Sequence, residues 1–211
     1  SVDNIFHKAV KDNDEFIRRI ATLESIKRGF DNRDFVDSMI KISQNNNDKD
    51  NLLIKPVITF ALATKTNNYP QAVGPIKSAL IDKDPLIVKA AVLGISVSND
   101  LRFIDPMIPM LKFPDAQVRE NTAAFLGQFD EPRTVQPLIP LLKDDNVGVR
   151  RLTVLSLGDK IKSYSQLPGE FINVLKTDSD PCVKYVAAFS LQSVKTSELK
   201  TVCLFCMTIH K

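Results

Sequence analysis

The feature that most constrains this 211-residue chain is that part of it is written twice. The stretch Pro106-Met107-Ile108-Pro109-Met110-Leu111 returns as Pro137-Leu138-Ile139-Pro140-Leu141-Leu142. The residues downstream return as well: Asp115 as Asp145 at an offset of 30, and Val118-Arg119 as Val149-Arg150 and Leu126-Gly127 as Leu157-Gly158 at 31. The prolines, the Val-Arg pair and Leu-Gly share a single offset of 31 residues. A fixed period of this size marks a stack of supersecondary units, none of which buries its apolar face alone.

An aliphatic residue followed by Lys or Arg extends the pattern to Ile17-Arg18, Ile54-Lys55, Val88-Lys89 and Val183-Lys184, giving six anchors spaced 37, 34, 30, 31 and 34 residues. Asp14, Asp50, Asp84, Asp115, Asp145 and Asp180 stand three or four residues upstream, where a carboxylate accepts the free N–H groups of a starting helix. Each anchor therefore opens a helix. Val118, Thr122 and Leu126 fall at a spacing of four, as do Val149, Thr153, Leu157 and Val183, Ala187, Leu191, so each set lies on one helical face. Shorter apolar segments upstream, such as Ile76 to Leu80 and Phe171 to Leu175, supply a first helix to each unit. Pro109 and Pro140 remove backbone bonds within theirs and predict kinked or split rods. Seven glycines against twelve prolines suit helices punctuated by proline better than a turn-rich sheet. The expectation is an all-α fold, an α-solenoid of about six helical hairpins in one domain over 1–211. Its repeats lie near 1–30, 31–66, 70–98, 102–130, 133–162 and 167–197, with a terminal helix over 198–211.

This layout resembles the HEAT-repeat family. Asp115, Val118, Arg119, Leu126 and Gly127 resemble the phycobilisome-lyase type of HEAT-like repeat. Repeats one and two depart from it, lacking the Leu-Gly ending and carrying the polar run Asn45-Asn46-Asn47-Asp48. Ala61-Leu62-Ala63, Asn68-Tyr69-Pro70, Leu80, Asp84-Pro85 and Leu93-Gly94 are similar to the middle of the smaller subunits of E/F-type phycobilin lyases. The HEAT resemblance implies a scaffold or adaptor more often than an enzyme. The lyase resemblance implies a subunit that presents a linear tetrapyrrole to a phycobiliprotein cysteine, with Arg119, Arg150 and Arg151 suited to its two propionates. It also implies a heterodimer, and a cytoplasmic or plastid-stromal setting.

Lys plus Arg number 28 against 25 for Asp plus Glu, and a net charge of +3 announces neither nucleic acid nor an anionic membrane. No apolar run reaches the roughly 20 residues that span a bilayer, and Ser1 to Val10 carry an acid and no signal-like apolar stretch, so a soluble intracellular protein is expected. Cys182, Cys203 and Cys206 are too few and odd in number for a disulfide framework. Cys203, Cys206 and His210 read C-x2-C-x3-H, with Cys182 as a conceivable fourth zinc ligand. Their apolar surroundings favour packed thiols, and no metal or other cofactor is expected. With only His7 and His210, no paired His-Glu iron motif exists. The absence of tryptophan, of a phosphate loop and of a G-x-S-x-G elbow leaves no visible catalytic constellation. If the chain is enzymatic, it is as a bilin lyase subunit.

Lys55, Lys89, Arg119, Arg150 and Lys184 present one cation per repeat. In HEAT-like repeats such a cation pairs with a neighbouring unit's capping acid, and Arg150 with Asp115 is the pairing expected here. The position after each anchor varies instead, as Glu120, Arg151 and Tyr185, and variation on a regular frame is how a solenoid surface acquires a particular partner. Glu120, Arg151 and Tyr185, with Arg119 and Arg150, are the binding candidates. A protein-binding scaffold or chaperone-like subunit, using the concave face of its second helices, is the leading functional reading. Leu204, Phe205, Met207 and Ile209 crowd the C-terminal end, where a homodimer or heterodimer is expected to form.

Overall fold

A computed structural model describes residues 2–44 and 51–192. Every regular element among them is helical, and they pair in chain order as six hairpins. The first helices are α1 (Val2–Ala9), α3 (Arg33–Gln44), α5 (Val73–Ala79), α7 (Ile104–Met107), α9 (Pro132–Leu138) and α11 (Leu167–Thr177). The second helices are α2 (Glu15–Lys27), α4 (Asn51–Ala63), α6 (Pro85–Ser98), α8 (Ala116–Gly127), α10 (Val147–Gly158) and α12 (Pro181–Leu191). The expected terminal helix over 198–211 lies outside the described residues.

Side-chain caps start the second helices. Asp14 and Asp115 each accept two backbone N–H groups of the following turn, and Asp84 and Asp180 one each, as the sequence predicts. Asp50 lies outside the described residues. Asp145 does not cap α10: Asn146 does, accepting from the N–H groups of Gly148 and Val149 at 2.8 and 3.2 Å. Asn146 has the extended backbone a cap requires, and its side-chain carbonyl does the work of a carboxylate. Counted from caps rather than anchors, Asp84, Asp115 and Asn146 are 31 residues apart. Val88-Lys89 therefore sits one residue out of register, and Ile87 is the true counterpart of Val118 and Val149.

The split first helices appear where expected. Pro109 and Pro140 each open a 3-10 segment, Ile108–Lys112 after α7 and Ile139–Lys143 after α9. The expected inward triplets Val118, Thr122, Leu126, then Val149, Thr153, Leu157, then Val183, Ala187, Leu191 are all buried. The buried threonines return their hydroxyls to their own helix: Thr122 to Val118 O and Thr153 to Val149 O, both at 2.7 Å. No hydroxyl is thus left unbonded on those faces.

The chain divides into two compact units, Ser1–Pro106 and Met107–Lys211. Within the first, α4 packs on α6; within the second, α8, α10 and α12 pack in succession. The Leu-Gly ending explains how closely. A Cβ on Gly127 would overlap the Ser156 side chain and stand 3.2 Å from its Cα, and one on Gly158 would lie 2.5 Å from Ser190 Oγ. A Cβ on Gly94 would lie 2.5 Å from that of Ala63. Small residues are required at these points because two helix backbones approach there.

Candidate protein-binding face

Two of the sequence candidates hold the array together. Arg150 on α10 reaches into the next hairpin, where its Nε and Nη2 donate to the two carboxylate oxygens of Asp178 at 2.8 and 3.0 Å. Its Nη1 donates to the carbonyls of Asp144 and Asp145 in its own loop. Arg119 on α8 repeats the clamp with Asp144 at 2.8 Å through both nitrogens, and with the carbonyls of Phe113 and Pro114. The expected pairing of Arg150 with Asp115 is therefore replaced by Arg150 with Asp178. The acid that receives the cation is the residue two before the cap, which also accepts the cap's own N–H: Asp144 from Asn146 and Asp178 from Asp180. Burial pushes the pKa of Asp144 and Asp178 up, but the guanidinium and N–H donors outweigh it, and both sit below the ordinary carboxylate value. Both arginines are raised in turn by their bonds to these acids.

The other cations follow the frame less closely. Lys55 is buried and lines a cavity of about 210 Å³ together with Asp82, which stands two residues before the cap Asp84 as Asp178 stands before Asp180. Lys184 is half-buried and contributes its charge to holding Asp178 ionised. Lys89, displaced by one residue, is half-buried on α6. A further stitch joins α8 and α10: Lys160 donates to Gly127 O and, at 2.9 Å, to Ser156 O. Its burial lowers its pKa against the upward pull of Asp130 and Asp159.

Glu120, Arg151 and Tyr185 behave differently from the clamp residues. They occupy one position, five residues after the cap, on the adjacent helices α8, α10 and α12. Tyr185 is 71% exposed. Arg151 is exposed and lies 3.5 Å from Asp180, the cap of α12. Glu120 is half-buried: Gln117 donates to it at 3.3 Å, and its carboxylate occupies the space a Cβ on Gly148 would fill. The structure thus brings the three variable residues to one face, and directs Arg119 and Arg150 to the hairpin junctions.

Sequence reasoning misses the residues four positions further on. Ala124, Leu155 and Phe189 share that later position, and Leu155 and Phe189 are 51% and 64% exposed. The signal that could reveal them is the offset of four from Arg151 and Tyr185, which places the side chains on the same stripe. Together the six positions make a surface that carries an acid and a small side chain on α8, an arginine and a leucine on α10, and two aromatic rings on α12. Cys182 is exposed near its end. Cys203, Cys206 and His210, and the apolar residues Leu204, Phe205, Met207 and Ile209, lie outside the described residues. Among the described residues no group of three His, Cys, Asp or Glu is placed to hold a metal ion, and no helix is long and apolar enough to cross a membrane.

Stacked helical hairpins, tied by cations at their junctions and presenting variable residues along their second helices, define the class of α-solenoid repeat proteins. Within that class, residues 104–192 match the family model of HEAT repeats. No curated protein matches the sequence. Among solved structures, the chain is similar to a computationally designed armadillo repeat protein for modular peptide recognition. The identity is 13%, covering 90% of this chain and 98% of that one, with a TM-score of 0.65. A designed armadillo repeat protein in complex with the peptide (KR)4 also has 13% identity, covering 89% and 97% at a TM-score of 0.65. The complex of CpcE and CpcF of phycocyanin lyase from a Nostoc species has 15% identity, covering 97% and 93% at a TM-score of 0.43.

Proposed function

We propose that this chain is a protein-binding scaffold that holds an extended segment of a partner protein across α8, α10 and α12. The observation that carries the reading is the outward stripe of Arg151, Leu155, Tyr185 and Phe189 at equivalent positions on neighbouring helices. Scattered exposed apolar residues need no explanation, but two aromatic side chains one turn apart beside an arginine have the composition of a binding hot spot. Gln117, Glu120 and Asn121 on the adjoining helix offer amide and carboxylate groups to a peptide backbone that would otherwise lose its water. The peptide recognition for which the designed armadillo proteins of similar fold were made supports a peptide as the ligand.

The bilin-lyase reading assigns Arg119, Arg150 and Arg151 to the two propionates. Arg119 and Arg150 are held by Asp144 and Asp178, which leaves Arg151 alone on the open face, so the scaffold reading is preferred. The test is selection from a displayed library of linear peptides on the wild-type chain, with counter-selection on Tyr185→Ala/Phe189→Ala. Enriched peptides should bind the double variant at least tenfold more weakly, the loss of about 1.4 kcal/mol or more expected for two hot-spot aromatics. Enrichment of peptides that bind both proteins equally, or of none, contradicts the proposal.

A further inference from the structure

In the first unit, Arg18 on α2 stands four residues after its cap Asp14, as Arg119 follows Asp115 and Arg150 follows Asn146. It makes one half of the same clamp. Its Nη1 donates to the carbonyls of Asp12 and Asn13 at 2.7 and 2.8 Å, as Arg119 Nη1 does to Phe113 and Pro114 and Arg150 Nη1 to Asp144 and Asp145. In Arg119 and Arg150 the other edge of the guanidinium, Nε with Nη2, donates to both oxygens of one carboxylate. No carboxylate among the described residues takes that edge of Arg18. The half-buried Arg18 side chain instead lines a cavity of about 510 Å³ between the α1–α2 loop and α3. Two bonds to backbone orient the fork in advance, so little rotamer freedom remains to be lost on binding.

We propose that this cavity binds a small monocarboxylic acid with a short aliphatic body, its carboxylate held by the Nε and Nη2 of Arg18. Three arguments choose that ligand. The first is the fork, which the same position of two other repeats turns to a carboxylate through two parallel bonds. The second is charge. The lining carries Lys11, Arg18 and Lys41 against Asp12, Asp34 and Asp37. Lys11 pairs with Asp34 at 2.6 Å, and Asp12 accepts the N–H of Asp14 at 2.8 Å. Asp37 accepts from Gln71 at 3.4 Å and lies 3.9 Å from Arg33. A phosphate dianion would bring a second negative charge up to these three acids, whereas a single carboxylate spends its charge on the fork. The third is size and surface. The volume is that of a small-molecule site, and Val10 and Ile42 give it an apolar part for hydrocarbon. The proposal stands apart from the peptide-binding reading, because it uses other residues in the other unit and another class of ligand.

The test is a titration of the full chain with butyrate and isovalerate at constant ionic strength, followed by amide NMR shifts. Acetate, butyramide, inorganic phosphate and a terminally blocked peptide centred on aspartate serve as comparisons. The expected result is saturable shifts confined to Val10–Arg18 and Asp34–Ile42, with both probes roughly fivefold or more tighter than acetate and no shift from butyramide. Arg18→Lys keeps the charge but not the fork and should weaken butyrate roughly tenfold. Lys41→Glu, a change at an exposed side chain, turns the lining net negative and should weaken butyrate roughly fivefold, while Tyr185→Ala leaves it unchanged. Melting curves check folding, and if Arg18→Lys melts early, Lys41→Glu decides alone. The proposal is overturned if neither probe gives saturable shifts, if the shifts fall elsewhere, or if folded variants bind butyrate as the wild type does. It is equally overturned if phosphate, acetate or the blocked peptide binds as tightly as butyrate, since the site would then serve any anion or an acidic side chain. Asp48, two residues before Asp50, holds in the sequence the place that Asp144 and Asp178 hold before Asn146 and Asp180. A gain of roughly tenfold in butyrate affinity on Asp48→Asn would therefore also overturn it, because Arg18 would then serve the chain's own acid.

Discussion

Replacing Arg150 by Met removes a guanidinium that makes four hydrogen bonds and leaves the carboxylate of Asp178 at the junction of two hairpins. The Arg150 and Asp178 side chains are 13% and 4% exposed, so water does little to screen the pair or to rescue the abandoned charge. Breaking a buried pair on one side typically costs about 3–5 kcal/mol. Asp178 keeps the N–H of Asp180 at 2.8 Å, which puts the expected loss at the lower end, about 3 kcal/mol. For a unit of this size that is a downward shift of roughly 12 °C or more in Tm. Urea unfolding at neutral pH measures it, and the slope should stay near that of the wild type, since the surface exposed on unfolding is unchanged. Arg150→Met/Asp178→Asn should regain at least half of the loss, because two uncharged side chains carry no desolvated charge. A loss below about 1 kcal/mol for the single variant would show the clamp to be an ordinary surface pair. A double variant as unstable as the single would refute the argument that the stranded carboxylate is the cost.

Acid should weaken the array through the same acids. Asp144 and Asp178 have folded pKa values below their unfolded ones, so their contribution is complete above about pH 4 and is lost as pH falls through the folded values. Urea midpoints measured from pH 6 down to 2.5 should fall less steeply in Asp144→Asn/Asp178→Asn than in the wild type, and an equal slope would contradict the assignment. Gly127→Ala should destabilise by about 1–2 kcal/mol, the overpacking of α8 on α10 exceeding the helix-propensity gain of alanine. Adding Ser156→Gly should recover part of that loss in the same unfolding assay. Tyr185→Ala/Phe189→Ala should leave the unfolding free energy within about 0.5 kcal/mol of wild type while weakening peptide binding, since both side chains are exposed.

The features legible in the sequence are those that depend on local spacing. Val118, Thr122 and Leu126 announce a buried face because helical periodicity alone selects it, and Pro109 and Pro140 announce broken rods because proline acts on its own backbone. A search for carboxylates selects Asp145 over Asn146, although a side-chain amide caps equally well. The partner of Arg150 depends on how far one hairpin is displaced along the next, which no spacing within either hairpin contains. Aligning by chemical type places Lys89 with Arg119, whereas the caps show a slip of one residue. Leu155 and Phe189 escape notice because an apolar residue in a helix reads as core until the neighbouring helices are in place. Leu-Gly is visible as a repeat, but its reason, the approach of Gly127 to Ser156, exists only between helices.

Whether the second-helix face of the residues 107–192 unit holds a partner is tested most directly by amide hydrogen exchange with and without a saturating selected peptide. Slowed exchange is expected along α10 and α12, centred on Arg151 to Leu155 and Tyr185 to Phe189, with α9 and α11 unchanged. Protection confined to the first helices α9 and α11, or none at saturation, would contradict the scaffold reading.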